Sequence, residues 1–210
     1  MIRLGLMASG RGSNARAILQ AIRDERLDAE VPVLICNRAG APVLGVAAEY
    51  GVTVRLVLRT DFPTRTAQQN AMRDLLLEAR VDLAVLAGFS AIFKPSFLAA
   101  FPHRVLNIHP SLLPAFAGLN SPEPQAAALR SGVKLAGCTV HLVTQDVDAG
   151  PIVAQVAVPV LADDSVERLA ERILVQEHRL YPHVLQCFAE GRVRVDGARA
   201  FIEERMPTPA

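Results

Sequence analysis

A carboxamide and an imidazole two positions apart are the side chains of this sequence best suited to acyl chemistry. Asn107 and His109 end a short apolar run, in the segment Asn-Ile-His-Pro-Ser-Leu-Leu-Pro. Alternate residues of a strand point to one face, so both side chains are expected in the same space. The carboxamide is a neutral hydrogen-bond donor, and the imidazole changes its charge near pH 7. The pair suits a reaction in which a carbonyl oxygen gains charge while a proton moves; a buried histidine satisfied by backbone groups is the structural alternative.

A carboxylate that can serve this pair is offered by the polar segment Val-Thr-Gln-Asp-Val-Asp-Ala-Gly-Pro at 143–151. Asp148 is the stronger candidate, and Asp146 is interpreted as a turn residue. A carboxylate beside His109 is expected to fix its tautomer and to raise its pKa. His141 alternates with apolar residues in a predicted strand, and we interpret it as a core or interface residue.

A glycine-containing loop follows the first predicted strand. The run Ser-Gly-Arg-Gly-Ser-Asn at 9–14 opens a predicted helix, where unpaired backbone N–H groups can receive a phosphate. Gly12 lets the backbone approach a ligand, Ser13 adds a hydroxyl, and Asn14 is predicted to cap the helix or to hold the loop. The loop has neither the third glycine of a dinucleotide site nor the lysine of a P-loop. A phosphate monoester is therefore favoured over NAD or ATP, and a plain strand-to-helix turn is the structural alternative.

Composition limits the classes of protein and partner. The 210 residues are 51% hydrophobic and 20% charged, with a net charge of +1, which predicts one globular domain over 1–210 without a general attraction for nucleic acid or membranes. No HExxH, GxSxG or paired-cysteine motif occurs, so neither a metal site nor a serine nucleophile is expected. Three widely spaced cysteines and the lack of a long apolar run favour a cytoplasmic protein.

The pattern of short apolar runs predicts the elements that hold these residues. Runs at 2–8, 31–36, 52–58, 83–87 and 105–108 alternate with predicted helices, which include 42–50 and 64–80. This alternation indicates an α/β fold with an open, doubly wound, mostly parallel sheet. Longer runs at 137–143 and 152–160 predict an antiparallel strand in the C-terminal half. A helix capped by Asp164 should then extend at least to Pro182, and 207–210 is predicted to be a loose tail.

Read together, these motifs resemble the glycinamide ribonucleotide transformylase family, folate-dependent enzymes of purine synthesis. Leu-Ala-Gly-Phe at 86–89, Gly-Cys-Thr-Val-His at 137–141 and Gln-Glu-His at 176–178 extend the resemblance over nearly the whole chain. It implies a Rossmann-like formyltransferase fold, with a phosphate- and nucleotide-binding half at 1–100 and a catalytic, folate-binding half at 101–210. The implied reaction moves the formyl group of 10-formyltetrahydrofolate, a cosubstrate, to the amine of 5-phosphoribosylglycinamide.

The resemblance also implies roles for particular residues. Asn107 would donate to the formyl oxygen, His109 would act as general acid and proton relay, and Asp148 would orient His109. The ribonucleotide would be held by Gly12, Ser13, Asn14 and Glu177. The folate would contact Arg65, Ser90, Ala91, Ile92, Phe93, Asn107, Thr144, Gln145, Asp146, Val147 and Asp148. The implied partners are these two small molecules, without metal, nucleic acid or membrane, in a monomer or homodimer.

The segment at 116–125 departs from the family pattern. It is longer than in the family, and Asn120 stands where members often have histidine. The change leaves Asn107, His109 and Asp148 untouched, so it concerns local substrate contacts and not the class of reaction.

Several other functions remain as alternatives. Formyltetrahydrofolate deformylase would send the same formyl group to water, and methionyl-tRNA formyltransferase shares the His-Pro-Ser-Leu-Leu-Pro motif. A non-catalytic nucleotide-binding module could use the glycine loop alone, and an NAD oxidoreductase could use the same sheet. The paired Asn107 and His109 favour a formyl transfer to an amine, because a passive binding module has no use for them.

Overall fold

The computed structural model describes residues 1–89 and 91–204, and a seven-stranded sheet forms its centre. In chain order the elements are β1 (Ile2–Ala8), α1 (Ser13–Arg23), β2 (Ala29–Cys36), α2 (Val43–Glu49), β3 (Val54–Leu56), a 3₁₀ turn (Arg59–Asp61), α3 (Arg65–Glu78), β4 (Leu83–Leu86), α4 (Pro95–Leu98), β5 (Val105–His109), α5 (Glu123–Ser131), β6 (Leu135–Leu142), β7 (Ile152–Pro159), α6 (Val166–Ala189), β8 (Val193–Asp196) and β9 (Arg199–Ile202).

The strand order is β3-β2-β1-β4-β5-β6-β7. The pairs among β1 to β5 are parallel, and β6 runs antiparallel to both β5 and β7. The predicted mostly parallel α/β sheet with an antiparallel strand in the C-terminal half is therefore confirmed.

Apolar cores cover both faces of the sheet. On one face, residues such as Leu6 of β1 pack with Ile18 of α1 and with α6, and on the other face Met7 packs with Met72 of α3. Because both faces are covered, the central strands β1 and β4 read as nearly continuous apolar runs and not as an alternating pattern. Within the described residues no helix is long and apolar enough to cross a membrane.

The order of the strands places a crevice where β1 and β4 lie side by side. From β1 the chain adds strands on one side of the sheet, and from β4 it adds them on the other side. Open α/β sheets bind ligands at the carboxyl ends of the strands where this order reverses. The loops that follow β1 and β4 are joined by a hydrogen bond of 3.0 Å from Ser9 N to Gly88 O. The glycine loop and the end of β5 therefore open onto one edge of the sheet.

The start of α6 differs from the prediction. Ser165, and not Asp164, caps the helix, because its side chain accepts a hydrogen bond from Arg168 N. Asp164 instead accepts from Leu161 N and from the guanidinium of Arg172. The helix continues past Pro182 to Ala189, in agreement with the predicted minimum length.

The last strands were not anticipated from the sequence. β8 and β9 form an antiparallel pair separated from the main sheet, joined by a two-residue loop with Gly197 at a φ of +59°. Glycine at the first position of such a loop, between alternating apolar and polar residues, is the signal that could have predicted the hairpin. The tail predicted at 207–210 lies outside the described residues.

Replacing Asp164 by asparagine is expected to lower the thermal midpoint at pH 7 and to have a smaller effect in acid. The hydrogen bonds from Arg172, and then from Leu161 N, lower the pKa of Asp164 to about 2 from 3.8. A depressed pKa stabilises the fold above pH 3.8, and this contribution is lost as the pH falls from 3.8 towards 2. Thermal unfolding of both proteins between pH 7 and pH 3 measures the difference. Asp163→Asn, at an exposed ion pair with Arg168, is the control and should change little; a pH-independent deficit for Asp164→Asn would contradict the expectation.

Candidate active site

A cleft of about 890 Å³ opens at the crevice between the strands. Its volume lies within the range of small-molecule sites, toward the upper end. The ranges 10–14, 107–110, 118–122 and 143–148 line it, together with one side of α6. The cleft thus joins the glycine loop to the end of β5 and to the connection between β6 and β7.

The glycine loop takes a conformation that requires glycine. Gly12 has a φ of +77°, and a Cβ atom there would lie 2.7 Å from Cγ2 of Val43. Gly12 is also the N-cap of α1 and offers no side chain to the first helical N–H groups. These donors, with Ser13 and the nearby Arg11, can therefore serve an anion in the cleft.

Asn14 does not cap α1, which corrects one of the two roles predicted for it. Its Nδ2 donates to Oε2 of Glu177 over 2.7 Å in a buried contact, so it links α1 to α6. Glu177 lies one turn before Tyr181, whose hydroxyl is 3.1 Å from the carbonyl oxygens of Leu86 and Leu106. Tyr181 therefore fixes α6 against β4 and β5, and with it the position of Glu177.

The wall around Glu177 is rich in hydrogen-bond acceptors. Glu177 is 7% exposed, and burial raises the pKa of its carboxyl, although Asn14 and the charge of Arg11 act in the opposite direction. Within the described residues, Oδ1 of Asn14 and Oε1 of Gln125 are buried without a partner, and both side chains line the cleft. Buried acceptors of this kind are normally satisfied, so they match a ligand that brings its own donors. Sequence reasoning did not single out Gln125.

Four polar side chains meet at the end of β5. Nδ1 of His109 lies 3.2 Å from Oδ2 of Asp148, and Nε2 of His141 lies 3.5 Å from Oδ1 of the same carboxylate. Nδ2 of Asn107 lies 3.2 Å from Nε2 of His141. The structure thus brings together the predicted Asn107, His109 and Asp148, and it adds His141.

Asp148 reaches this group because the connection after β6 folds back closely. A Cβ atom on Gly150 would lie 1.8 Å from the carbonyl oxygen of Leu142, so only glycine allows the approach. Asp148 itself has a φ of +52°, and its Oδ2 accepts a hydrogen bond of 2.9 Å from Gly118 N. The 116–125 segment, which departs from the family pattern, therefore helps to hold the carboxylate.

The pKa of His109 is lowered overall, although the sequence analysis expected the nearby carboxylate to raise it. Burial lowers it from 6.5, and the opposing effects of Asp148 and of the Phe116 carbonyl are smaller. The ring is 4% exposed, so the loss of hydration outweighs the attraction of one carboxylate. Asp148 therefore acts in the predicted direction, but burial reverses the net shift of the pKa, which favours the neutral imidazole at pH 7.

Most of the residues expected at the folate also line the cleft. Arg65 is exposed at its mouth, Ile92 is 64% exposed, and Phe93 is buried with its ring 4.2 Å from that of Phe97. The lining also includes Ala91, Asn107, Thr144, Gln145, Asp146, Val147 and Asp148. Ser90, the remaining candidate, lies outside the described residues.

Gln69 of α3 holds the loop that carries Ile92, and the sequence analysis did not name it. Its Nε2 donates to Ile92 O over 2.8 Å, and its Oε1 accepts from Lys94 N over 2.7 Å. A buried glutamine that bonds both ways to a loop fixes its backbone. In the part of the chain that the structure describes, no cluster of three potential metal ligands occurs.

His141 is a buried strand residue, as the sequence analysis interpreted it, but its place in the site was not predicted. It is 2% exposed, as expected for a core residue, but its ring lines the cleft. In the antiparallel register it stands directly opposite Asn107. Pairing the two predicted strands would have revealed this contact, because opposed residues of neighbouring strands share a face.

Comparison with known proteins gives matches over nearly the whole chain. The family model described as "Formyl transferase" matches residues 2–185. The phosphoribosylglycinamide formyltransferase of Haemophilus influenzae is 36% identical over 97% of this chain and 94% of its own length. The trifunctional purine biosynthetic protein adenosine-3 of Bos taurus is 39% identical over 92% of this chain, which spans only 19% of that protein.

Solved structures agree with these sequence matches. Glycinamide ribonucleotide transformylase 1 from Symbiobacterium toebii is 48% identical with a TM-score of 0.93, covering 97% of this chain and 95% of that one. A formyltetrahydrofolate deformylase from Pseudomonas syringae has a TM-score of 0.88 at 27% identity, and 66% of its chain is covered. Both similarities include the sheet that carries the site.

Proposed function

The chain belongs to the formyl transferase family, and from this premise we propose that it transfers the formyl group of 10-formyltetrahydrofolate to the amine of 5-phosphoribosylglycinamide. The products are formylglycinamide ribonucleotide and tetrahydrofolate. The observation that carries the proposal is the contact of His109 with Asp148, next to Asn107, in one cleft with the glycine loop. Relatives that the chain covers almost completely carry the matching name.

The arm of the cleft at the glycine loop fits a phosphorylated ribose. Backbone N–H groups at Gly12 and Ser13 would hold the phosphate, and Arg11 would add a positive charge. The carboxylate of Glu177 and the unpartnered oxygen of Asn14 would accept hydrogen bonds from hydroxyl or amide groups of the ribosylglycinamide. These groups match 5-phosphoribosylglycinamide, which carries a phosphate at one end and hydrogen-bond donors along the rest of the molecule.

The other arm fits a flat heterocycle with an anionic tail. The exposed side chains of Ile92 and Val147 offer apolar contacts, and the backbone of 144–148 offers polar ones. Arg65 at the mouth would meet a carboxylate of the tail. When bound, the folate supplies the formyl carbon that the amine attacks.

The site residues would act on charge and protons as the amine attacks. Asn107 would donate to the formyl oxygen as it becomes negative. Both neighbours of the His109 ring are acceptors, but Asp148 is charged and slightly nearer than the Phe116 carbonyl, so the proton of the neutral ring is assigned to Nδ1. The unprotonated Nε2 would then take the proton of the amine. The new N–H would meet the carbonyl oxygen of Phe116, 3.3 Å away. His109 would then pass the proton to the departing nitrogen.

Hydrolysis of the folate, as in a deformylase, is the second candidate function. The same fold and the same carboxylate–imidazole pair would serve hydrolysis, and the deformylase from Pseudomonas syringae shares 27% identity with this chain. The glycine loop and the buried acceptors around Glu177 favour transfer, because hydrolysis needs no site for a phosphorylated amine. A passive nucleotide-binding module would leave Asn107 and His109 without use.

The decisive experiment mixes the purified protein with 10-formyltetrahydrofolate, with and without 5-phosphoribosylglycinamide. Transfer predicts that the folate is consumed only with the amine and that formylglycinamide ribonucleotide forms in equal amount. Consumption at the same rate without the amine would establish hydrolysis and refute the proposal. Sedimentation of the same sample tests the prediction of a monomer or homodimer.

Replacing Ser13 by alanine is expected to raise the KM for the ribonucleotide about tenfold or more and to change kcat little. A hydrogen bond to a charged group contributes about 1.5–3 kcal/mol, and the phosphate is remote from the bonds that change. Steady-state kinetics with each substrate varied measures the effect. Ser131→Ala, at the exposed end of α5, is the matched control; an unchanged KM for Ser13→Ala would remove the hydroxyl from the phosphate site.

A further inference from the structure

His141 takes no part in the chemistry above, although it is a buried imidazole in the cleft. It lies on β6 in register with Asn107 of β5, so the two side chains share one face of the sheet. Nε2 of His141 is 3.2 Å from Nδ2 of Asn107, within hydrogen-bond distance. The direction of this bond follows from the other ring nitrogen.

The surroundings of Nδ1 fix the tautomer of His141. This nitrogen lies 3.1 Å from the carbonyl oxygen of Leu142, which can only accept a hydrogen bond. The proton of the neutral ring is therefore on Nδ1, and Nε2 carries a lone pair. Burial lowers the pKa of His141 and so favours the neutral ring.

A lone pair on Nε2 selects one orientation of the Asn107 amide. The NH₂ group must face His141, because the amide oxygen would meet the lone pair with repulsion. One N–H of Nδ2 is then donated to His141, and within the described residues no acceptor takes the second. This second N–H is the donor available to a ligand in the cleft.

The same nitrogen lies 3.5 Å from Oδ1 of Asp148, but a neutral His141 gains nothing from that contact. A nitrogen lone pair and a carboxylate are both acceptors, so no hydrogen bond forms between them. Asp148 has stronger partners in His109 and Gly118 N. His141 therefore acts on Asn107 and not through the carboxylate.

We propose that His141 is a positioning residue for formyl transfer, which accepts one N–H of Asn107 and thereby aims the other at the formyl oxygen. The inference rests on the proposed function, because the donor needs that oxygen as its target. Without His141 the amide can rotate and present its own oxygen, which would oppose the developing negative charge. Removing the ring nitrogen should therefore affect the chemical step more than the binding of either substrate.

The test is a double-mutant cycle in the full-length protein, with His141→Phe and Asn107→Ala. His141→Phe keeps an aromatic ring but removes the acceptor, so kcat should fall about tenfold to a hundredfold, while both KM values change less than about threefold. In the Asn107→Ala background the same change should cost less than about twofold, because the residue through which it acts is gone. His141→Gln, whose amide oxygen can accept, should recover part of kcat, and His183→Phe on the exposed side of α6 is the matched control.

Equal losses in both backgrounds, or an unchanged kcat for His141→Phe, would overturn the proposal. Nitrogen-15 NMR of the wild-type imidazole gives a test that depends on neither folding of a variant nor activity. It should show the proton of His141 on Nδ1, and a proton on Nε2 of the neutral ring would overturn the proposal as well. A wild-type protein that forms no formylated amine would instead refute the proposed function.

Discussion

Replacing His109 by asparagine is expected to lower kcat by about 10²–10⁴-fold, the usual contribution of a general acid–base group. Asparagine can still donate to Asp148 and fill most of the space, but it cannot take a proton from the amine. Since His109 is neutral and buried, the fold gains no ion pair from it at pH 7. The thermal midpoint should therefore change little, and stopped-flow or steady-state assays at saturating substrates measure the loss.

The pH dependence of His109 provides an independent check on its proposed role. Its pKa is lowered from 6.5 by burial, so the ring is neutral above its own pKa and becomes protonated only as the pH falls below 6.5. A base that receives the amine proton must be neutral at the start, so kcat/KM should decline in acid, with the midpoint of the imidazole below 6.5. Proton NMR of the His109 ring gives that midpoint directly.

Two results would contradict this account of His109. One is full turnover by His109→Asn, and the other is an acid limb of kcat/KM that does not follow the NMR titration. His183→Asn, on the exposed side of α6, is the matched control and should retain activity. A loss shared by both variants would point to a general effect of substituting histidine and not to proton transfer.

The sequence was most informative where local periodicity decides the structure. The side chains of Asn107 and His109 face one cleft because strand alternation requires it, and the apolar runs predicted the parallel sheet for the same kind of reason. The prediction weakened where tertiary contacts decide. Asp164 and Ser165 are both residues that cap helices, and the guanidinium of Arg172 draws Asp164 away from that role.

The electrostatics of the site could not be obtained from the order of residues. A carboxylate near an imidazole suggests a raised pKa, yet the depth at which His109 is buried reverses the sign. The ring of His109 contacts Phe116 in the 116–125 segment and Asp148 in the connection after β6, and the periodicity of β5 describes neither of them. The buried hydrogen-bond acceptors around Glu177 could not be predicted for the same reason. Asn14, Gln125 and Glu177 belong to three different helices, and only the fold brings them together.

Replacing Asn107 by alanine is expected to lower kcat by about 10²–10³-fold, the loss that follows removal of one oxyanion donor. The second N–H of Asn107 has its use only when the formyl oxygen becomes negative, so the KM for each substrate should change far less than kcat. Asn107→Asp is the sharper variant, because it keeps the shape of the side chain and replaces the donor by a negative charge next to His141.

We expect Asn107→Asp to be at least as inactive as Asn107→Ala at pH 7, since a carboxylate would repel the oxygen that the amide is proposed to stabilise. Single-turnover assays with both substrates bound isolate the chemical step from binding and product release. A loss confined to KM would mean that Asn107 holds the substrates equally before and during the reaction. Equal kcat for asparagine and aspartate would leave only the shape of the side chain as its contribution, and formyl transfer would then need a donor from elsewhere in the cleft.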